Sequence, residues 1–353
     1  MRILIVGPGA DKAKGGMGTV IKDIKCSTLL NKRFEINTFD SYIDGILPVR
    51  LAYTIYAFCR FLLVYKEYDL FHIHTASFGS VLRKVWYMKA IKRAGKKAIV
   101  HIHGAKFLAF YEQLNKRKKK RVQDYLQSAD LVLALSEEWR KKFDTTFLLK
   151  NCRVLANGVD TKRFTPAIIG SSENAHSFAS LGRLGQRKGT YDLLSAIEIA
   201  IKTIPDLKCF LAGDGEIKKV KRIIRKKNLE NNVIITGWIG FEEKRVLLTK
   251  VSAIILPSYN EGLPMSILEG MATGKAVIST TVGAIPEVVG KENGILIEPG
   301  DIKGLAQAMI RLCKDQNLVK HMAVENVKKI SNQFDLEKMH AKLAEYYMEC
   351  FEQ

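Results

Sequence analysis

The chain has 353 residues, 47% of them hydrophobic, which is longer than one hydrophobic core usually sustains and too apolar for intrinsic disorder. Its six cysteines are scattered without a CxxC pair, so neither a cysteine-zinc site nor a disulfide framework is expected, and a reducing compartment is. The formal charge of +20 is uneven: residues 1–165 hold 31 Lys and Arg against 14 Asp and Glu, a net of +17, which favours a polyanionic partner such as a membrane leaflet or nucleic acid.

In chain order, RILIVG is a short apolar strand, and its apolar run, Ile3 to Val6, is too short for a secretory leader. The glycine-rich turn GPGADKAKGGMGTV follows, with a helix from about Thr19. It lacks GxGxxG and GxxxxGK[ST], but Gly15 and Gly16 before a helix start suit a phosphate or sugar hydroxyl. LAYTIYAFCRFLLVY, interrupted by Arg60, is shorter than a membrane span and predicts a mostly buried helix. LFHIHT and AIVHIHG are strands, each carrying an HIH pair, His72/His74 and His101/His103, on one strand face. No acidic ligand pattern accompanies them, so they read as structural histidines, with His103 before Gly104 best placed to reach a cleft. The run KRKKKR, Lys116 to Arg121, lies on a basic helix before the strand LVLALS.

A loop-rich stretch, PAIIGSSENAH, separates this half from a second series of strands: SFASLGR, LKCFLAGDG, NVIITGW, AIILPS, AVIST and GILIEP. Each but the last is plainly followed by helix-compatible sequence. Strands alternating with helices predict parallel sheets covered on both faces. The divisions expected are an α/β domain over 1–165, a second over 177–334, and a C-terminal helix over 335–353, opened by Asp335, that packs back on the first domain. In such sheets ligands bind beyond the carboxyl ends of the strands.

YNEGLPMSILEGMATGKAVIST, Tyr259 to Thr280, follows the strand AIILPS. Pro264 sits where a helix begins, Gly262 permits close backbone approach, and the amides of Leu263 to Ser266 suit an anion or hydroxyl. Glu261 stands before that helix, and Glu269 one to two turns along it, where a carboxylate accepts two hydrogen bonds from a vicinal diol such as ribose. SLGRLGQRKGT adds Arg183 and Lys188, cations for a diphosphate held without a metal. LAGDGE is a further strand-to-glycine turn, and Gly237 and Trp238 in TGWIG can lie against a base.

EGLPMSILEGMATGKAVI, with GRLGQRKG, AGDG, NGVDTKRF and GAIPE, resembles family 4 of the retaining nucleotide-sugar glycosyltransferases, across nearly the whole chain. Lys275 departs from the family's usual proline, in a turn remote from the chemistry. The resemblance implies the GT-B architecture of two facing Rossmann-like domains. It implies Arg183 and Lys188 on the donor diphosphate, Glu269 on the ribose, and Glu261 with the backbone of Gly262, Leu263 and Pro264 on the donor sugar. His103 would lie near the reacting face, and Gly15 and Gly16 would approach phosphate or acceptor. Transfer would proceed with retention, without metal or other cofactor, from a UDP-sugar to a glycan or lipid-linked acceptor. The protein would be cytoplasmic and peripheral on the inner, anionic face of the membrane. A sugar-nucleotide epimerase of the same architecture is one alternative. A polyanion-binding protein is another; against nucleic acid, no aromatic residues interleave the basic run.

Overall fold

The structure, a computed structural model, describes residues 1–9, 15–43, 45–164, 166 and 175–352. The chain forms two compact units, Met1–Gly158 with Leu336–Gln353, and Val159–Asp335.

The first unit is a six-stranded sheet of β1 (Arg2–Pro8), β2 (Glu35–Tyr42), β3 (Leu70–Thr75), β4 (Lys97–Ile102), β5 (Leu131–Ala134) and β6 (Cys152–Val154) in the order β2-β1-β3-β4-β5-β6. All its pairings are parallel. β3 is buried at every residue, as expected of a central parallel strand covered on both faces. The order turns back between β1 and β3, which makes the loops after those strands the binding crevice of this sheet. The C-terminal helix, Leu336–Glu352, belongs to this unit: the Tyr347 ring stands edge-on to Phe34, 5.4 Å away, and Tyr346 Oη donates to the Val154 carbonyl at 3.1 Å.

The second unit repeats the plan with β7 (Ser177–Leu181), β8 (Lys208–Ala212), β9 (Val233–Gly237), β10 (Ala253–Leu256), β11 (Ala276–Thr280) and β12 (Gly294–Ile297), in the order β12-β11-β10-β7-β8-β9. Its pairings are parallel throughout. Here the turning point lies between β10 and β7. Alanine and glycine bring helix and sheet together: a Cβ on Gly270 would meet Ile254 Cδ1 of β10 at 2.4 Å.

Four expectations are corrected. The first unit ends at Gly158, not at residue 165; the segment beyond packs on the second unit, with Arg163 3.7 Å over the Phe241 ring and Phe164 edge-on to it. Most of PAIIGSSENAH lies outside the described residues. The strand GILIEP is followed by a helix after all, Ile302–Lys314, with the Asp301 carboxylate accepting from the Gly304 amide as its N-cap. β2 and β6 were not foreseen. The largest difference is the helix Leu47–Val64: only Ala57 and Phe61 of its residues are buried, not most of them.

Candidate active site

At the turning point of the second sheet, the loops after β7 and β10 run side by side. The Tyr259 amide donates to the Arg187 carbonyl at 3.0 Å, and Arg187 Nη1 donates to the Asn260 carbonyl at 3.1 Å. Contact this close needs Gly189, and the loop after β11 closes on the same turn through a second glycine, Gly283. Gly189 holds φ 66°, and a Cβ there would stand 1.9 Å from the Pro257 carbonyl oxygen; Gly283 holds φ 61°, with its Cβ position 2.1 Å from the Glu261 carbonyl oxygen. Gly189→Ala should therefore destabilise the protein by ~2–3 kcal/mol and lower Tm by about 5–10 °C. An unchanged calorimetric transition would mean that the two loops do not meet in this way.

This packing carries Lys188 to Glu261, Nζ to Oε1 at 2.7 Å, with Arg187 Nη1 at 3.7 Å from the same oxygen. Lys188 and Glu261 are almost buried, at 14% and 8% exposure. The ion pair is not aligned as a hydrogen bond, so Glu261 Oε1 is a buried acceptor without one. The same loop holds two more such atoms, Ser258 Oγ and Asn260 Oδ1. Buried polar atoms ordinarily find partners. Three within four residues, at the rim of a parallel sheet, are the signature of a surface that hydrogen-bonds a polar ligand.

Glu269 lies in the helix Met265–Ala272, which starts without a side-chain cap after Pro264. Burial raises its carboxyl pKa, and Lys244, paired with its Oε1, pulls it back down. Gly262, Leu263 and Pro264 are buried in the turn between the two glutamates, the Gly262 carbonyl accepting from the Ala284 amide at 2.9 Å. Arg183 is exposed on the loop after β7, and its Cγ lies 3.0 Å from where a Gly215 Cβ would stand, so AGDGE borders the same loop. Gly237 ends β9 with φ 76°, followed by Trp238 at 56% exposure. Lys275, in the place of the proline, is buried, which lowers its pKa to about 8.

Among the described residues of the first unit, Gly15 has φ 140° and a Cβ there would meet nothing within 4 Å; it precedes the helix Gly16–Lys25, which has no side-chain cap. Much of its loop, 10–14, lies outside the described residues. β3 and β4 pair so that His74 faces His101, and the four histidines form one cluster. His74 Nδ1 and His103 Nε2 are 2.9 Å apart, and His72 Nδ1 lies 2.7 Å from Tyr347 Oη. Burial lowers the pKa of His72 and of His103 to about 3, and pushes His74 and His101 well below their usual value. His103 as a whole residue is half-buried. All four are neutral at pH 7.

Nitrogens of His72, His74 and His101 lie within 4.8 Å of one another, close enough to raise a metal. The His72 and His101 rings, however, are stacked 9° from parallel. Lone pairs lie in the ring planes, so those of two stacked rings do not converge on one ion, and among the described residues no carboxylate joins the group. Among the described residues the cluster is a set of packed neutral imidazoles.

Sequence reasoning missed Lys244, Arg187, Ser258 and Asn260. Arg187 and Asn260 stand inside the quoted motifs; Lys244 sits on a helix where one more lysine carries no signal. It also missed Phe78, in the loop after β3, whose φ of 60° is a strained value for a bulky residue.

Comparison with known proteins agrees with this geometry. Residues 38–163 match the family described as Glycosyltransferase Family 4, and 175–315 match Glycosyl transferases group 1. An Escherichia coli UDP-Gal:α-D-GlcNAc-diphosphoundecaprenol α-1,3-galactosyltransferase is 27% identical over 340 residues, 90% of this chain and 84% of its own length. The Bacillus subtilis (strain 168) TuaC, described as a teichuronic acid biosynthesis glycosyltransferase, is 28% identical over 258 residues, covering 70% of this chain and 63% of its own. Among solved structures, Anabaena HepE in complex with UDP superposes with a TM-score of 0.80 at 20% identity, over 99% of this chain and all of that one, a likeness of fold. The chain belongs to the family 4, group 1 glycosyltransferases and has their GT-B fold.

Proposed function

We propose that the enzyme transfers a sugar, with retention at the anomeric carbon, from a UDP-sugar to a hydroxyl of a glycan or lipid-linked sugar during cell-surface polysaccharide assembly. The observation that carries this reading is the meeting of Lys188 and Glu261 at the turning point of the second sheet, beside buried acceptors without hydrogen bonds. Names of the relatives, one acting on a diphosphoundecaprenol-linked sugar and one in teichuronic acid synthesis, support the class of acceptor.

In this reading Arg183 and Lys188 hold the donor diphosphate and neutralise the charge that grows on it as the glycosidic bond breaks. Electrostatic stabilisation aimed at a leaving group is among the largest catalytic terms, and here side chains supply it without a metal. Lys244, paired with the buried Glu269, favours its carboxylate form against the effect of burial, and Glu269 accepts from the hydroxyls of the ribose. Glu261 and the backbone of Gly262 to Pro264 hold the donor sugar, and Gly237 and Trp238 take the base. His103, neutral at pH 7, serves as a hydrogen-bonding group toward the sugar, not as a cation. Gly15 and Gly16 approach phosphate or acceptor. The leaving diphosphate is the nearest base for the acceptor hydroxyl. The first unit carries 31 Lys and Arg against 17 Asp and Glu, a net of +14, which supports a cytoplasmic location on the inner face of the membrane and an acceptor embedded there.

The test is release of nucleoside diphosphate from UDP-, GDP- and ADP-sugars, with and without a polyprenyl-diphosphate-linked sugar, with EDTA present. Turnover of a UDP-sugar only when acceptor is added, with the anomeric configuration kept in the product, is expected. Conversion of a nucleotide sugar without acceptor would instead reveal an epimerase.

A further inference from the structure

The helix Leu47–Val64 is built against the rule for a globular surface. Its eighteen residues, LPVRLAYTIYAFCRFLLV, include two charges, Arg50 and Arg60. At 3.6 residues per turn, Leu51, Ile55 and Leu62 share one stripe, and Val49, Tyr56 and Leu63 run beside it. Both stripes face outward: Ile55 is 62% exposed, Leu51 58%, Tyr56 57% and Leu63 81%. The arginines do not interrupt them. Arg50, half-buried, reaches back over the Tyr42 ring at 5.4 Å, and Arg60, though exposed, lays its guanidinium over Phe39 of β2 at 5.2 Å. A helix this apolar belongs inside a protein or against a bilayer, yet only 11% of the residues in its most apolar stretch are buried in protein.

The surroundings say which. The helix packs on its neighbour Gly79–Arg93, which in turn packs on Lys116–Gln127, all in one layer on one face of the first sheet. The middle helix adds exposed Trp86, Lys89 and Arg93; the third adds exposed Lys116, Arg117, Lys118, Lys120 and Arg121. Phe58 ties the first to Trp86, ring to ring at 5.7 Å. An apolar ridge with tyrosine and tryptophan at its side and a field of cations beyond is complementary to an anionic bilayer: acyl chains for the ridge, head groups for the cations.

We propose that the Leu47–Val64 helix lies in the interface of an anionic lipid bilayer, its outward stripes among the acyl chains, with the Lys116–Gln127 helix held against the head groups. It cannot span: the strands at its two ends, β2 and β3, both pair in parallel with β1, so its ends are tied to one sheet. This deepens the reading of a membrane-bound acceptor but stands on separate residues, none of them placed in the donor site.

The experiment is flotation with phosphatidylcholine vesicles and with vesicles containing 30% phosphatidylglycerol, on the wild type and on Ile55→Asp/Leu63→Asp, each also sized by light scattering. We expect at least tenfold more wild-type protein on the anionic vesicles, and loss of that binding in the double variant. Both positions are exposed, so thermal unfolding and transfer to a detergent-soluble acceptor should be unchanged, which separates failure here from failure of the transferase reading. Absence of vesicle binding, or binding that survives the double substitution, would overturn the proposal. So would a wild-type dimer, unable to bind vesicles, that becomes monomeric in the variant, since the helix would then be an interface between copies.

Discussion

Replacing Lys188 by alanine is expected to lower kcat/KM by about 10³-fold, ~4 kcal/mol of transition-state stabilisation. The Lys188 side chain is 14% exposed and its ammonium stands 2.7 Å from Glu261, in a setting where charge interactions are screened far less than at an open surface. As the donor's glycosidic bond breaks, negative charge moves onto the diphosphate, and the loss should fall chiefly on kcat. The same substitution leaves the buried Glu261 carboxylate with only Arg187, at 3.7 Å. Removing one partner of a buried pair costs about 3–5 kcal/mol, and the remaining arginine should reduce this to ~2 kcal/mol. The two effects separate in the double variant Lys188→Ala/Glu261→Gln, which neutralises the stranded charge: stability should return and activity should not. Lys188→Arg should keep the fold and recover only part of the rate, because a planar fork does not reproduce a point charge. Activity within threefold of wild type in Lys188→Ala would remove Lys188 from the mechanism.

The parts of the fold that were legible in the sequence are those whose residue choice has one physical reading. β1 is an unbroken apolar run, and β3 and β4 set histidine among apolar residues, because all three are buried on both faces. β2, EINTFDSY, lies at the sheet edge, where only Ile36, Phe39 and Ser41 are buried, and its mixed pattern resembles a loop. β6 has three residues, too few for any period. In the site, Glu261 and Lys188 were legible because a glycine-bounded turn with charge inside it is expensive to keep without a use. Lys244 was not, since a lysine on a half-exposed helix ordinarily just covers surface. Both HIH motifs were visible, but their merger depends on the register that sets His74 opposite His101, and register is a property of the assembled sheet. The Leu47–Val64 helix was misread for a related reason. Composition records that a helix needs apolar surroundings; it does not say whether the protein supplies them.

That histidine cluster should make the first unit acid-labile in a defined window. An unfolded histidine titrates near pH 6.5, whereas burial lowers His72 to about 3 and holds His74 and His101 well below normal. The Leu155 backbone, close to His101, opposes this weakly; neither ring nitrogen of His101 has a hydrogen-bond partner. The native state therefore keeps these rings neutral while the unfolded chain binds protons. Stability is fully present above pH 6.5 and is lost as pH falls toward 3. Each buried imidazole costs about 1.4 kcal/mol per pH unit in that range, so the three together should remove ~4 kcal/mol by pH 5.5, a large share of an ordinary domain's stability. His103, also lowered to about 3 by burial, should add a further loss of the same size as each of them. Carboxylates scarcely titrate between pH 6.5 and 5.5, which leaves the window to histidine. Trp238 is in the second unit and Trp86 and Trp139 are in the first, so fluorescence-monitored denaturation of Trp238→Phe follows the first unit alone. Its unfolding free energy should fall steeply below pH 6.5, and His101→Phe should lower the proton uptake on unfolding by about one. A flat profile from pH 6.5 to 5.5, or an unchanged slope in His101→Phe, would show that the imidazoles are already charged in the native protein.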